Sequence, residues 1–221
     1  INKLATSLIP PVLGPDVTNM EDLKKLFEGA LDHFGGKVDF ILHSVGMSLN
    51  VRKGKPYTGL DYGFNQKTLD ISAMSLHRVL QTAYEMEAIS TWGSVVALSF
   101  IAAQRVFPDY NEMADAKSLL ESIARSFGYH YGIKNKVRVN TISQSPTRTT
   151  AGSGVKGFDG FINFSEAMSP LGNASAEAFA GYCVTLFSDL TKYVTMQNLY
   201  HDGGYSSTGV TQPVVDKMAS E

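Results

Sequence analysis

Strand-like apolar runs alternate with helical patterns along this chain, and that alternation limits its possible folds more than any single motif. The runs are "PVLGPDV" (11–17, a short strand running into a loop), "VDFILHSVG" (38–46), "GSVVALSF" (93–100), "VRVNTIS" (137–143) and "TMQNLYHDGG" (195–204). Between them lie helical stretches. Residues 19–36 put Met20, Leu23, Leu26, Phe27, Ala30 and Phe34 on one stripe, with Thr18 or Asn19 as N-cap and Gly35-Gly36 as the stop. Further helices are expected over 60–87, from Tyr110 to about His130, and over 175–190. Apolar strands separated by helices indicate an α/β fold, with a doubly wound parallel sheet covered by helices on both faces. In such sheets ligands bind beyond the carboxyl ends of the strands. That places "PDV", "HSVG", "LSF", "SQSP" and "HDGG" along one edge, with the start of the Tyr110 helix beside them.

The 221 residues suit one domain with a full core. Nineteen basic against 21 acidic residues, with no basic run, give no reason to expect nucleic acid. The longest apolar stretch, "VVALSFIAA", is too short to span a bilayer, and no signal peptide is evident. The single cysteine, Cys183, sits in the apolar run "GYCVTLF" and reads as a buried core residue. Together these features indicate a cytoplasmic protein. Two segments read as mobile from composition: the basic, Gly/Pro-containing "NVRKGKPYTG" (50–59) and the glycine-rich "TTAGSGVKGFDGF" (149–161).

The chemistry-bearing stretch is "FPDYNEMADAKSLLESIARSFG" (107–128). On a helix, Tyr110 and Lys117 stand nearly two turns apart on one face. There they could share a bound molecule, with the ammonium favouring a phenolate nearby. By spacing alone, a helix-opening tyrosine and a solvated lysine are the better reading, and the surroundings must decide otherwise.

Several segments in order resemble one family: "PDV" at 15–17, "HSVGMS" at 43–48, "QRVFPDYNEMADAK" at 104–117, "VRVNTISQSPTRTTAGSGVKGF" at 137–158 and "HDGG" at 201–204. Across the whole chain it resembles the short-chain dehydrogenases/reductases, in the divergent branch that holds bacterial enoyl-acyl-carrier-protein reductases. The ordinary branch has lysine four residues after the tyrosine. Here that place is Ala114, and the lysine comes seven residues on. The resemblance implies a Rossmann-like fold. Members begin with a strand, a glycine-rich phosphate-binding turn, a helix and a second strand. The chain opens at Ile1 without that unit and has no GxGxxG-like segment. About fifty N-terminal residues are therefore expected to be missing from the sequence, the size of one strand–helix–strand unit.

The resemblance also implies roles. Tyr110 would hydrogen-bond the thioester carbonyl of an enoyl substrate, and Lys117 would hold the nicotinamide ribose. Asp16 and Val17 would contact adenine. Ser44, Val45 and Gly46 would let backbone approach the cofactor. Thr147 and Thr149 would bind the carboxamide and phosphates, with Thr150 and Ala151 opening a substrate-binding region over 149–175. Met47, Ser48, Met113, Ala151 and Phe158 would line the acyl pocket. Phe100 departs from the tyrosine found in many members and reads as an apolar wall beside the nicotinamide. His43 reads as structural, since no second ligand is spaced to share a metal with it. The implied cofactor is NAD(H). NADP(H) stays open, because the ribose-reading residue would lie in the absent unit. The implied partners are acyl carrier protein and three further copies of the chain in a homotetramer. Two other readings remain: a 3-oxoacyl-type carbonyl reductase and a non-catalytic nucleotide sensor. The long Tyr–Lys spacing argues against the first, as does Ala97 thirteen residues before Tyr110, where a serine would be needed. Retention of both Tyr110 and Lys117 argues against the second.

Overall fold

A computed structural model describes residues 14–147 and 157–220, except for the side chain of Phe158. The first helix, α1 (Met20–Phe34), begins where Asn19 Oδ1 accepts from the Glu21 and Asp22 amides at 2.9 and 3.4 Å. It ends where Gly35 takes the left-handed conformation at φ 64°, as the sequence indicates. Strand β1 (Val38–His43) follows, then a single turn of helix, α2 (Leu49–Arg52).

The long helix expected over 60–87 has a break in it. Helix α3 (Tyr62–Leu69) passes through a π turn (Asp70–Met74) into α4 (Ser75–Glu85). The turn presents Ser72, whose hydroxyl accepts from Met47 N at 2.9 Å and donates to Met47 O at 3.0 Å. Helical periodicity cannot foresee such a bulge, because it is fixed by a partner 25 residues away.

Strand β2 (Ile89–Ser99) starts four residues before the predicted run. Its early part is irregular: Trp92 has φ 67°, and the register with β1 shifts between Val38 and Phe40. Gly93 sits at that bend, where a Cβ would come within 3.0 Å of Asp39 O. The remaining elements are α5 (Glu112–Asn135), β3 (Arg138–Gln144), α6 (Phe158–Met168), α7 (Ala176–Phe187), β4 (Asn198–His201) and α8 (Gln212–Ala219). Neither α6 nor α8 is apparent from periodicity. The first begins within the glycine-rich segment, and the second is one short amphipathic stretch opening with Gln212-Pro213.

The four strands form one parallel sheet in the order β1-β2-β3-β4. Alternation along each strand divides the core in two. Val95, Ala97 and Val139 face α1, α4 and α5, where Leu23, Leu76, Leu80, Leu120 and Tyr131 are fully buried. Val96 and Ile142 face the other way, onto Cys183 and Leu186 of α7. This is the doubly wound arrangement expected from the apolar strands, and Cys183 lies in the core as anticipated. The expectation of full burial fails for β1. Phe40 and Leu42 are about half exposed, since β1 is the sheet's edge among the described residues. Of the strand predicted at 11–17, only 14–17 are described, and they form loop and turn. No helix among the described residues is long and apolar enough to cross a membrane.

Candidate active site at the carboxyl end of the sheet

Because all four strands run parallel, His43, Ser99, Gln144 and His201 end on the same edge of the sheet. The residue after β2 is Phe100, which anchors an aromatic cluster. Its ring lies 5.0 Å from Tyr110, 5.2 Å from Phe107 and 6.0 Å from Phe161 of α6. Phe107 also meets Phe161 at 5.3 Å and Tyr205 at 6.2 Å. Phe100 is thus an apolar wall against Tyr110.

Lys117 reaches the same place from α5, donating from Nζ to Leu98 O at 2.6 Å. It is buried, and burial pushes its pKa down to about 8 against a smaller opposing effect of the Glu121 carboxylate. Glu121 is buried too, accepting from Ser99 Oγ at 2.6 Å and Gln104 Nε2 at 3.3 Å. An ammonium has three donors. Lys117 uses one on Leu98, and no other hydrogen bond from it occurs among the described residues.

The tyrosine itself requires two corrections. Tyr110 does not open the helix: α5 begins at Glu112, and Tyr110 lies in a turn, with its amide donating to Phe107 O at 3.0 Å. Asn111 between them has φ 45° and ψ −137°, which swings the phenol off the helical path. Nor does the ammonium draw Tyr110 toward phenolate. Burial raises the phenol above its ordinary range, so at neutral pH it is an O–H donor. Its hydroxyl makes no hydrogen bond among the described residues.

Several predicted site residues come together here. Met113 is buried, and its Cε would lie 3.8 Å from a Cβ placed on Gly46. Met47 is held by Ser72, and Ser48 Oγ donates to Glu112 Oε1 at 2.7 Å. Ser44 is exposed and Val45 half-buried just past β1. Thr147 follows β3, where Ser145 N donates to His201 O at 3.0 Å, and its hydroxyl donates to Ser145 O at 3.2 Å.

Asp16 and Val17 stand apart, in the turn before α1. Asp16 Oδ1 accepts from Thr18 N and Thr18 Oγ1 at 2.9 and 2.7 Å, which holds its carboxyl below the usual range, while Val17 packs on the core. Thr149, Thr150 and Ala151 lie outside the described residues, and Phe158 is known only as the first residue of α6. His43 is structural as read. Its Nε2 donates to Ser75 Oγ at 2.8 Å, whose own proton goes to Ile71 O at 2.6 Å. Burial, then the Lys117 charge, push His43 down to about 4.

Sequence reasoning did not pick out Phe107, Phe161, Tyr205, Glu112 or Glu121. Glu121 stands one turn beyond Lys117 on the same helix face, which was the available signal for it, whereas nothing local marks Glu112.

The site's donors suit a nicotinamide nucleotide: a buried ammonium at a strand end, with donors that no described residue takes up, fits ribose hydroxyls, and small Gly46 leaves backbone open. Known proteins agree. The family model described as "Enoyl-(Acyl carrier protein) reductase" matches residues 1–206. The enoyl-[acyl-carrier-protein] reductase [NADH] FabI of Rickettsia bellii is 36% identical over 196 residues, covering 88% of this chain and 73% of the relative. Among solved structures, the FabI–NADH complex from Alistipes finegoldii is 62% identical with a TM-score of 0.90, covering 91% of this chain and 71% of that one. The NADH-named reductase from Aquifex aeolicus VF5 superposes with a TM-score of 0.82 at 28% identity, covering 89% and 76%. The chain belongs to the enoyl-(acyl carrier protein) reductase family.

Proposed function

We propose that this chain reduces the trans-2 double bond of enoyl thioesters carried on acyl carrier protein, the reductive step of fatty-acid elongation, with NADH as cofactor. The carrying observation is that, at the end of β2, a neutral phenol and a buried ammonium both keep hydrogen-bonding capacity that no described residue takes up.

When bound, NADH supplies the hydride that adds to the substrate β-carbon. Negative charge then collects on the thioester carbonyl oxygen, where Tyr110 donates a hydrogen bond, and a proton taken from solvent at the α-carbon completes the saturated thioester. A preformed donor facing developing charge is the strongest contribution a side chain can make to such a step. Lys117 holds the nicotinamide ribose and adds positive charge to the same pocket. Phe100 and Phe161 exclude water beside the phenol, which strengthens both interactions. At Ser44, Val45 and Gly46 the protein backbone approaches the cofactor, Thr147 and Thr149 bind its carboxamide and phosphates, and Asp16 and Val17 contact its adenine. Met47, Ser48, Met113 and Phe158 line the acyl pocket. The chain acts as one reductase domain, and 149–175, with Thr150 and Ala151, is its substrate-binding region; α6 falls within it.

Assembly as a homotetramer through the helical regions 60–87 and 110–130 belongs to this proposal. Met74, Leu119 and Ile123 on these helices pack against the core. Support comes from Tyr129 and Ile133, which are exposed near the end of α5.

Oxidation of NADH with crotonyl thioester, with acetoacetyl thioester and with neither tests the function. Consumption with the crotonyl ester alone is expected. Faster consumption with the acetoacetyl ester would make the chain a carbonyl reductase.

A further inference from the structure

The segment after β1, basic and rich in Gly and Pro, is not free at its anchor points. Three side chains from the start of α5 fasten it. Asn111 Nδ2 donates to Lys55 O, and Asp115 Oδ2 accepts from Tyr57 Oη at 3.2 Å. Between them Glu112 Oε1 accepts from Ser48 Oγ at 2.7 Å, Thr68 Oγ1 at 3.0 Å and Asn50 N at 3.3 Å.

Glu112 is fully buried, it forms no ion pair among the described residues, and its Oε2 has no hydrogen-bond partner there. A buried carboxylate in that condition is costly. The dipole at the start of the 24-residue α5 offsets only part of the cost. A second costly feature adjoins it. Asn111, at φ 45° and ψ −137°, occupies backbone space that residues other than glycine avoid. Such strain persists only where its surroundings over-determine it, and it gathers at working sites. Here the strained residue is the single link between Tyr110 and the helix that carries Lys117.

We infer that Glu112 is a positioning residue: through Oε1 it locks the backbone at 48–50 and helix α3 to the strained Asn111 turn. The Tyr110 hydroxyl and the Gly46–Ser48 wall are thereby held at a fixed separation. The inference rests on the proposed role of Tyr110. Glu112 touches no reacting atom and acts only through that phenol.

Glu112→Leu removes the acceptor, whereas Glu112→Gln keeps it without the charge. With crotonyl thioester and NADH, Glu112→Leu should lose about 10- to 100-fold in kcat, the scale for a phenol displaced by an ångström, with the NADH Kd within about twofold of wild type. Glu112→Gln should keep kcat within about threefold, because one oxygen still accepts all three bonds. Unchanged kcat in Glu112→Leu, a loss carried wholly by the NADH Kd, or equal damage in both variants would each overturn the assignment. If Glu112→Leu does not fold, Thr68→Val removes one of the three donors in nearly the same shape. It should lower kcat about three- to tenfold at constant NADH Kd, and unchanged kcat there overturns the assignment equally. Wild type without crotonyl-dependent oxidation would sink the enzymatic reading and this role with it. Active wild type with fully active Glu112→Leu sinks this role alone.

Discussion

Lys117 is where burial and function pull in opposite directions. Burial lowers its pKa from 10.5 to about 8, yet its proposed task needs the charge. The sign of the pH effect follows. As pH rises through about 8 the free enzyme loses the ammonium, so NADH affinity should fall above that pH in wild type. In Lys117→Met the affinity should be weak and flat across the same range, read by fluorescence titration of NADH. Lys117→Ala at pH 7 should cost about 1.5–3 kcal/mol of cofactor binding, the worth of charge-assisted hydrogen bonds. Equal affinity in mutant and wild type would remove Lys117 from the cofactor site. For stability the linkage runs the other way. Between about 8 and 10.5 the unfolded chain binds a proton that the folded chain does not, so this group's contribution to stability grows with pH over that window. Tyr110, held neutral by burial, should give no break of its own in the NADH titration near pH 8. Tyr110→Phe should lower turnover roughly 10- to 1000-fold with NADH affinity intact, the range for removing one positioned donor.

At the scale of elements, α5 does most of the joining. Leu120 is fully buried between the sheet and α4, and Tyr131 donates its hydroxyl to Leu80 O at 2.9 Å. Leu120→Ala should cost about 2–5 kcal/mol in denaturant unfolding with an unchanged m-value, since a methylene-rich side chain leaves a cavity there. A loss under 1 kcal/mol would mean that the helix can collapse onto the gap.

The elements also show how far the sequence could be read. Amphipathic periods and caps marked α1, α7 and the body of α5, and unbroken apolar runs marked β1, β2 and β3 in parallel order. What periodicity missed depends on distant partners. The π turn at 70–74 is fixed by Met47, the early bulge in β2 by β1, and the displacement of Tyr110 by contacts that Asn111 and Glu112 make with residues about 60 positions earlier. The same reason hid the aromatic cluster. Phe100 and Phe107 share the connection between β2 and α5, but Phe161 and Tyr205 come from two distant segments, and no local pattern relates the set.

For the molecule as a whole, the sheet's polar edge, two helical faces and one set of convergent donors describe a reductase domain whose chemistry sits at strand ends. Sedimentation at micromolar concentration should give a mass near four copies of the chain, and a stable monomer would refute the assembly. The most direct test of the central claim follows the hydride itself. NADH deuterated at the transferable position is incubated with the protein and crotonyl thioester, and the product is examined by mass spectrometry and NMR. The account predicts saturated butyryl thioester with one deuterium at the β-carbon, formed far more slowly by Tyr110→Phe. Deuterium on a carbinol carbon with acetoacetyl thioester, and none in the crotonyl product, would contradict it.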